Sequence, residues 1–253
     1  MNDALIGYSG FVGQNILSKH SFKHLYNSRN IEQIKNQKFD LVVSCATPSL
    51  VWKANLDPKS DLANIQSLMK NLKNVKAKHF VLISTIFVYP NPFEVDEDSQ
   101  IKPRFLTPYG KHRYLLEKFV KKYFKSYTII RLPNLFGQGI KKNLVYDLIY
   151  NNRLDLTDHR SEMQWYNLEH IWHDIQIAMN NHLNVVNFAV EPVTAKKIAK
   201  FCLDMNFETV TQKPPLQHKM FTKYGDLYGK KSPYLYDAKT TLKSLKKFIQ
   251  QML

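Results

Sequence analysis

Apolar and polar positions alternate in blocks through the first half of the chain. Short, nearly continuous apolar runs, of the kind that parallel strands bury on both faces, occur at residues 4–6, 24–27, 41–46, 80–85 and 127–132. Segments with apolar residues at a helical spacing separate them, at residues 12–18, 59–75 and 109–124. Strands that alternate with helices predict an α/β fold with a doubly wound parallel sheet and helices on both faces.

Beyond Pro133 the same pattern becomes looser. It predicts helices at residues 143–150, 171–179, 194–205 and 239–252, a strand at 185–188 and a loop over 209–233. This remainder is short for a separate domain of ordinary size. We therefore expect a core over residues 1–140 and a small C-terminal α/β cap over 141–253, with residues 165–190 returning a strand and a helix to the core.

Three glycines in a G-x-x-G-x-x-G pattern lead from the end of the first predicted strand into the first turn of the first predicted helix. The free N–H groups of a helix N-terminus favour anionic oxygens, and glycine lets a pyrophosphate approach the backbone. The pattern predicts binding of NAD or NADP, although such glycines can also mark a tight turn or close helix–strand packing. The expected cofactor contacts here are Gly7, Ser9, Gly10, Phe11, Val12 and Gly13.

Hydrophobic content and cysteine count indicate the general class of protein and its compartment. The 253 residues are 44% hydrophobic, which suffices for one substantial core or for a large domain with a small annex. The two cysteines, Cys45 and Cys202, are far apart and lack a metal-ligand spacing. This fits a reducing cytoplasm and argues against a disulfide scaffold or a metal site. We expect a cytoplasmic protein without a membrane span or a signal segment.

The net charge of +15 indicates anionic partners or a lysine-rich surface. Lysines are scattered from Lys19 to Lys247, whereas arginine is scarce and forms no cluster of the kind that reads phosphates and bases. We therefore favour a solvated lysine surface and rank a small anionic ligand, such as a nucleotide, second. We expect no nucleic acid partner.

Three further motifs follow in order along the chain. Residues 84–89 (STIFVY) end one predicted strand, residues 108–113 (PYGKHR) begin the long helix, and residues 131–137 (RLPNLFG) end the next strand. Together with the glycine pattern, this order resembles the extended short-chain dehydrogenase/reductase family of nucleotide-sugar epimerases, dehydratases and reductases. The resemblance covers roughly residues 3–190 and implies a Rossmann-like fold, a nicotinamide dinucleotide and a nucleotide-sugar substrate.

In this family a tyrosine transfers a proton while the nicotinamide transfers a hydride. The resemblance assigns this tyrosine to Tyr109, the hydroxyl that orients the substrate oxygen to Thr85, and the cation one helical turn after the tyrosine to Arg113. The family has lysine at this last position. The resemblance also implies a homodimer that forms through two helices of each subunit, here residues 59–75 and 109–124.

Arginine at position 113 changes the expected chemistry. A free phenol titrates near pH ~10, and a neighbouring cation lowers this pKa. Arginine stays positively charged and can hydrogen-bond the nicotinamide ribose, but it cannot relay a proton. The alternative is that Arg113 is a surface residue of a protein that binds the cofactor without catalysis.

Two apolar residues after Thr85 narrow the reaction. Related 4,6-dehydratases carry Asp and Glu directly after this threonine, and related C3/C5 epimerase-reductases place a cysteine two residues after it. Here these positions are Ile86 and Phe87, which cannot accept a proton. The resemblance therefore implies hydride chemistry alone. We favour reduction of a nucleotide-linked keto sugar for surface-polysaccharide synthesis, with C4 epimerisation as the alternative.

The residues after the second predicted strand favour NADP. Enzymes that use NAD usually carry an acidic residue there for the ribose 2′-hydroxyl, whereas Asn27, Ser28 and Arg29 offer a hydroxyl and a guanidinium for a 2′-phosphate. NAD stays an alternative, because Arg29 can equally be an exposed loop residue. Further cofactor contacts implied by the family are Cys45, Ala46, Thr47, Ser84, Tyr109, Arg113 and Pro133.

The expected substrate contacts are Thr85, Phe87, Asn134, Lys142 and Asn143. The family also has an arginine in a later strand that binds the diphosphate. Met163 occupies that position here, and Arg160 lies nearby but out of register. A hypothesis from another class is a non-catalytic NAD(P)-binding or RNA-associated regulator, suggested by the positive charge and by Arg113.

Overall fold

The computed structural model describes residues 1–229 and 232–253. Residues 230 and 231, which belong to the loop predicted over 209–233, lie outside the described residues. The chain divides into two compact units. Unit 1 comprises Met1–Pro90, Ser99–Arg131 and Ile171–Val186. Unit 2 comprises Asn91–Asp98, Leu132–His170 and Asn187–Leu253.

The strands, in chain order, are β1 (Asp3–Ile6), β2 (His24–Tyr26), β3 (Lys38–Ser44), β4 (Lys76–Thr85), β5 (Phe93–Val95), β6 (Tyr127–Leu132), β7 (Asn134–Phe136), β8 (Glu162–Met163), β9 (Trp165–Asn167), β10 (Val185–Asn187), β11 (Val193–Thr194) and β12 (Lys219–Met220). The helices are α1 (Phe11–Leu17), α2 (Val51–Leu56), α3 (Pro58–Leu72), α4 (Pro108–Tyr123), α5 (Leu144–Tyr150), α6 (Ile171–Asn180), α7 (Ala195–Leu203) and α8 (Ala238–Met252). A one-turn 3₁₀ segment, Ile86–Val88, directly follows β4.

The central sheet belongs to unit 1 and has the strand order β10-β6-β4-β3-β1-β2. The pairs β1–β2, β1–β3 and β3–β4 are parallel. The order changes direction at β1, so that β2 lies on one side of β1 and β3 on the other. The doubly wound parallel α/β fold predicted from the sequence is confirmed, and the carboxyl ends of β1 to β4 meet at one edge of the sheet.

Two elements differ from the prediction: the strand β4 begins earlier than predicted, and the helix α2 was not predicted. β4 begins at Lys76, and its first residues alternate between exposed and half-buried positions before the buried run begins. A separate helix, α2, precedes α3; it escaped prediction because its large apolar residues Trp52 and Leu56 are exposed and form no buried stripe. Asp57 then caps α3 by accepting a hydrogen bond from the Ser60 N–H at 3.1 Å.

The core of unit 1 forms where the sheet packs against α3 and α4. Val42 and Phe80 from the sheet and Ile65, Leu116 and Phe119 from the two helices belong to one buried cluster. Full burial of such a side chain contributes about 1.5–3 kcal/mol. This packing fixes the two helices against the sheet, and with them the side chains that they carry to its edge.

Unit 2 contains short strand pairs and three helices in its described residues. β7 pairs with β9 and β12 with β5 in parallel, whereas β8 and β11 are antiparallel. The buried Gln164 amide donates hydrogen bonds to the carbonyls of Val190 (2.6 Å) and Met220 (2.7 Å). In the part of the chain that the structure describes, helices with the length and apolar character that crossing a membrane requires are absent.

Candidate active site

The glycine turn connects β1 to α1 at the edge of the sheet. Gly7 has φ +84°, a conformation that favours glycine, and a Cβ there would lie 2.8 Å from backbone atoms of Cys45 and Ala46. A Cβ on Gly13 would lie 2.1 Å from the Gly7 carbonyl oxygen. Both glycines are therefore required by close packing, and the turn rests directly on the end of β3.

The N-terminus of α1 presents free backbone donors. Gly10 is the N-cap and provides no side-chain capping bond, and it is exposed together with Ser9. The first backbone bond of the helix runs from the Gln14 N–H to the Gly10 carbonyl at 2.9 Å. The N–H groups of Phe11, Val12 and Gly13 precede that bond, so they point toward the side from which an anion can approach.

The ends of β2 and β3 flank this turn. The Gly7 N–H donates to the Tyr26 carbonyl at 2.7 Å. The Asn27 side chain accepts from the Arg29 N–H at 2.9 Å, and Arg29 is exposed. The Cys45 thiol donates to the Ile6 carbonyl at 3.2 Å, and burial raises its pKa to about 12. A thiol of this kind stays protonated and is a packing group.

The predicted tyrosine lies in the first turn of α4. Thr107 caps the helix through the Gly110 N–H at 3.5 Å, and Asn55 accepts from the Tyr109 N–H at 3.0 Å. A Cβ on Gly110 would lie 2.0 Å from the Phe87 carbonyl oxygen, so only glycine allows the helix to approach the turn after β4 this closely. The Phe87 and Tyr109 rings meet edge to face, with their centroids 5.8 Å apart.

The structure brings the three predicted catalytic residues together. The Thr85 hydroxyl lies near the Tyr109 hydroxyl and lowers its pKa, and the Arg113 guanidinium carbon lies 3.8 Å from the centre of the Tyr109 ring. Burial raises the pKa of Tyr109 above its ordinary value, and the Asp61 carboxylate adds to this. Arg113 and Thr85 act in the opposite direction without cancelling it.

Arg113 is not a surface residue, since 2% of it is exposed. Its guanidinium donates to the Asp61 carboxylate, to the Pro48 carbonyl and, at 3.3 Å, to the Tyr109 carbonyl. Its Nε is buried and has no hydrogen-bond partner among the described residues. The Nε–H of Arg113 is therefore available to a group that these residues do not supply.

Asp61 and His112 are site residues that the sequence did not reveal. His112 Nδ1 lies 2.7 Å from Asp61 Oδ2, and both side chains are buried. Burial raises the pKa of Asp61, but the hydrogen bonds from Arg113 and His112 outweigh it, so that the pKa lies below its usual value. One signal existed: Asp61 shares the apolar face of α3 with Ile65 and Leu68, where a lone carboxylate needs a partner.

Ser84, predicted as a cofactor contact, has its hydroxyl engaged inside unit 1. It donates to Glu117 at 2.6 Å. Glu117 also accepts from Arg131 at 2.7 and 3.0 Å, and Arg131 donates to the Tyr89 hydroxyl at 2.7 Å. Successive residues of a strand face opposite sides of a sheet, which separates this interior network from Thr85.

Ser28 is exposed and Thr47 is half-buried, both in unit 1, and the remaining predicted residues belong to unit 2. Pro133 is buried, Asn134 donates to the Gln164 carbonyl at 3.3 Å, and Lys142 is exposed. Asn143 caps α5 by accepting from the Val145 N–H at 3.0 Å, and its amide donates to the Leu135 carbonyl at 2.8 Å. Both polar ends of Asn143 are thus used within the unit.

The diphosphate-binding arginine expected from the resemblance has no counterpart at position 163, where Met163 is buried. Arg160 forms two hydrogen bonds of 2.8 Å with Asp158. Among the described residues, clusters of three or more histidine, cysteine or carboxylate side chains that could hold a metal ion are absent.

Sequence comparison identifies the family. The NAD dependent epimerase/dehydratase family matches residues 20–154, which is more than half of the chain. The chain belongs to this family. A protein of Methanocaldococcus jannaschii with the provisional name UDP-glucose 4-epimerase is 25% identical over 132 residues. That alignment spans 51% of this chain and 42% of the relative.

Solved structures share the fold along nearly the whole chain. The dTDP-4-dehydrorhamnose reductase of Bacillus anthracis, in complex with NADP, has a TM-score of 0.76 at 17% identity and covers 98% of this chain and 97% of its own. The UDP-glucose 4-epimerase of Thermotoga maritima, with UDP-glucose, has a TM-score of 0.73 at 18% identity and covers 100% and 98%.

Proposed function

We propose that this family member is an NADP-dependent reductase of a nucleotide-linked keto sugar, with Tyr109 as the proton donor. One observation carries the proposal: a buried phenol, next to the Thr85 hydroxyl and covered by the Arg113 guanidinium, lies at the carboxyl edge of a sheet whose first turn is rich in glycine. Carbonyl reduction requires a proton donor and groups that orient the carbonyl oxygen and stabilise charge, and these side chains can fill those roles.

The glycine turn fits a dinucleotide. Gly10 leaves its side-chain position open apart from the Gly7 carbonyl at 3.3 Å, and the N–H groups at the start of α1 offer donors to phosphate oxygens. We propose that this turn holds the pyrophosphate and that Ser28 and Arg29 bind a ribose 2′-phosphate. Cys45, Ala46 and Thr47 would line the dinucleotide beside the turn. When bound, a reduced nicotinamide dinucleotide supplies a hydride.

Side chains of the protein supply the proton that the substrate oxygen takes up. We propose that Thr85 donates a hydrogen bond to the carbonyl oxygen of the sugar and that Tyr109 protonates the same oxygen as it becomes an alkoxide. Tyr109 is left as a phenolate, which the Arg113 guanidinium and the Thr85 hydroxyl stabilise until a proton from water restores it. Asn134, Lys142 and Asn143 stay predicted substrate contacts in unit 2.

The turn after β4 argues against dehydration. Ile86 is buried and Phe87 packs on the Tyr109 ring, so neither position offers a base for removing a proton from carbon. Elimination of water and epimerisation at C3 or C5 both need such a base. Hydride chemistry at one carbon is what the residues of this turn support.

The test is turnover with defined cofactors. We expect the purified chain to oxidise NADPH, followed at 340 nm, in the presence of dTDP-4-dehydrorhamnose or a related nucleotide-linked keto sugar, and to prefer NADPH to NADH. Arg29→Gln should reduce the preference for NADPH and leave the NADH rate nearly unchanged, because it removes a charge near the predicted 2′-phosphate only. Absence of NADPH oxidation with every keto sugar tested would reject the reductase.

A C4 epimerase is the second candidate, favoured by the match to the M. jannaschii protein. An epimerase regenerates its cofactor in each cycle and retains it through purification. Interconversion of UDP-glucose and UDP-galactose without added dinucleotide would support this candidate. Net consumption of NADPH, one per sugar reduced, would support the reductase.

We also propose a cytoplasmic homodimer that acts in polysaccharide synthesis. Within Pro58–Leu72 and Pro108–Tyr123, both described in full, the carboxylates are Asp61 and Glu117, and both are buried. A two-fold pairing of α3 and α4 would thus bring exposed lysines together. Light scattering should show a dimer that strengthens with added salt; a monomer at all salt concentrations would reject it.

A further inference from the structure

We propose that Asp61 is a positioning residue: it holds Arg113 on the Tyr109 ring and balances its charge, so that Tyr109 rests as a protonated phenol. The consequence for the reaction rests on the proposed reductase, because a resting phenol donates a proton and a resting phenolate removes one. The arrangement departs from a site in which an unbalanced cation beside the tyrosine favours its ionisation.

The geometry of Arg113 is set from two sides. Asp61, on α3, accepts from Nη1, and the Pro48 carbonyl, in the loop before α2, accepts from Nη2. These bonds bring the guanidinium carbon to 3.8 Å from the centre of the Tyr109 ring and leave Nε alone without a partner among the described residues. The Tyr109 carbonyl is a third acceptor at 3.3 Å, so removal of the Asp61 carboxylate releases the charged one of three hydrogen-bond partners.

The groups that act on the ionisation of Tyr109 come from three elements. Arg113 lies on its own helix, Asp61 faces it from α3, and the Thr85 hydroxyl reaches it from the end of β4. His112 touches the far side of the same carboxylate. A cation favours the phenolate, but a carboxylate bonded to that cation opposes it, and burial of the phenol disfavours ionisation further.

The direction of proton transfer follows. In reduction, the hydride adds to the carbonyl carbon, the carbonyl double bond becomes a single bond, and the oxygen takes the Tyr109 proton. In the free enzyme this step needs the neutral phenol, which persists up to alkaline pH. Oxidation needs the phenolate, which is scarce at neutral pH. We expect kcat/KM for reduction to stay level through neutral pH and to fall only above pH ~10.

The experiment titrates Tyr109 in the full chain without cofactor or substrate. Phenolate absorbance is recorded against pH, and subtraction of the Tyr109→Phe curve isolates one residue from the 14 tyrosines. Circular dichroism at each pH verifies the fold. In Asp61→Asn the midpoint should fall by about one pH unit or more, because the cation is left unbalanced.

Two matched variants separate positioning from simple packing. Asp61→Glu, which keeps the carboxylate, should bring the midpoint back toward the wild-type value. His112→Gln, which removes the other partner of Asp61 and keeps the Asp61–Arg113 pair, should leave it unchanged. Equal midpoints for the wild type and a folded Asp61→Asn variant would overturn the proposal.

A buried arginine without its partner can prevent folding. The double variant Asp61→Asn/Arg113→Gln removes both charges and avoids this. Its midpoint should lie at or above the wild-type value, since the cation leaves with its carboxylate. A midpoint below the wild type would overturn the proposal, because Tyr109 would then respond to Asp61 alone.

Failure of the proposed function is distinguishable from failure of this inference. The titration requires no reaction, so a downward shift in Asp61→Asn supports the role of Asp61 even if none of the sugars is reduced. With turnover, the alkaline fall of kcat/KM for reduction should move to lower pH in the same variant. An active variant whose pH profile matches the wild type would count against the inference and leave the reductase intact.

Discussion

Helix α4 takes part in two buried arginine–carboxylate pairs that differ in how completely they are satisfied. Arg131 and Glu117 form a closed network, in which each of the three guanidinium nitrogens has a partner: Nε and Nη2 donate to the Glu117 carboxylate and Nη1 donates to the Tyr89 hydroxyl. Ser84 donates a third bond to the carboxylate. Arg113, paired with Asp61, instead leaves Nε without a partner and lies over the ring of Tyr109.

This difference indicates that the Arg131–Glu117 pair stabilises the fold, whereas the Arg113–Asp61 pair can take part in binding and chemistry. A buried charge pair in which every guanidinium nitrogen has a partner is costly to break and has no unpartnered nitrogen for a ligand. A pair that has an unpartnered nitrogen next to a titratable phenol can still donate a hydrogen bond to a bound group. Arg113 and Glu117, one member of each pair, lie one turn apart on α4, so each pair can serve as the control for the other.

The largest expected effect comes from breaking the closed pair. Glu117→Gln leaves Arg131 buried without a counter-charge, which should lower the free energy of unfolding by about 3–5 kcal/mol. Urea denaturation measures this loss. Glu32→Gln, at an exposed glutamate, should change stability by less than about 0.5 kcal/mol. Equal losses in the two variants would show that the interior network carries no stability.

Exchanging each arginine for lysine sharpens the comparison. Lysine cannot reproduce the three side-chain bonds that Arg131 makes, so Arg131→Lys should lose about 2–3 kcal/mol of unfolding free energy. Arg113→Lys can keep its bond to Asp61 and should retain reductase activity within about tenfold. The two measurements are urea denaturation and NADPH oxidation. If Arg113→Lys lost more unfolding free energy than Arg131→Lys, Arg113 and not Arg131 would be the arginine that mainly stabilises the fold.

The neighbours Ser84 and Thr85 provide a smaller test on one strand. Ser84→Ala removes a donor from the buried Glu117 and should cost about 1.5–3 kcal/mol of stability. Thr85→Val keeps the shape of the side chain, should cost less stability, and should lower kcat/KM for reduction about 10²-fold, because the substrate oxygen loses a donor. Urea denaturation measures the loss of stability, and steady-state kinetics measures kcat/KM. If Ser84→Ala lowered kcat/KM and Thr85→Val cost more stability, the roles of the two residues would be exchanged.

Acid titration gives the smallest effect. The pKa of Asp61 is lower in the folded chain than in the unfolded chain. Its contribution to stability is therefore present above pH ~4 and is lost as the pH falls through the lower folded-state value. The stability difference between the wild type and Asp61→Asn should shrink as the pH falls below about 4. Parallel pH profiles of the two proteins would contradict the ion pair.

Much of the fold followed from the sequence because its signals are local. The glycine turn, the apolar strands and the helical spacing each depend on a few consecutive residues, and the parallel sheet follows from their alternation. The strand order and the alignment of Tyr109 with Thr85 at one edge follow from that topology. Lys76 and its polar neighbours were missed as strand residues because they alternate between exposed and half-buried positions and form no apolar run.

The partners of the site residues could not be read in the same way. Arg113 was open to interpretation as a surface residue, because the bond to Asp61 joins positions 52 residues apart. Ser84 looked like a cofactor contact because its partner, Glu117, lies on a helix 33 residues further on. Which side of a strand a polar residue faces, and what meets it there, depends on packing between distant segments.

The most direct test of the account is NADPH oxidation by Tyr109→Phe under single-turnover conditions with the keto sugar bound. The variant lacks the proton that the account places on the reduced oxygen and should react about 10²- to 10⁴-fold more slowly than the wild type. Its affinity for NADPH, measured by calorimetry, should be nearly unchanged. A rate equal to that of the wild type would show that the proton comes from elsewhere and would contradict the account.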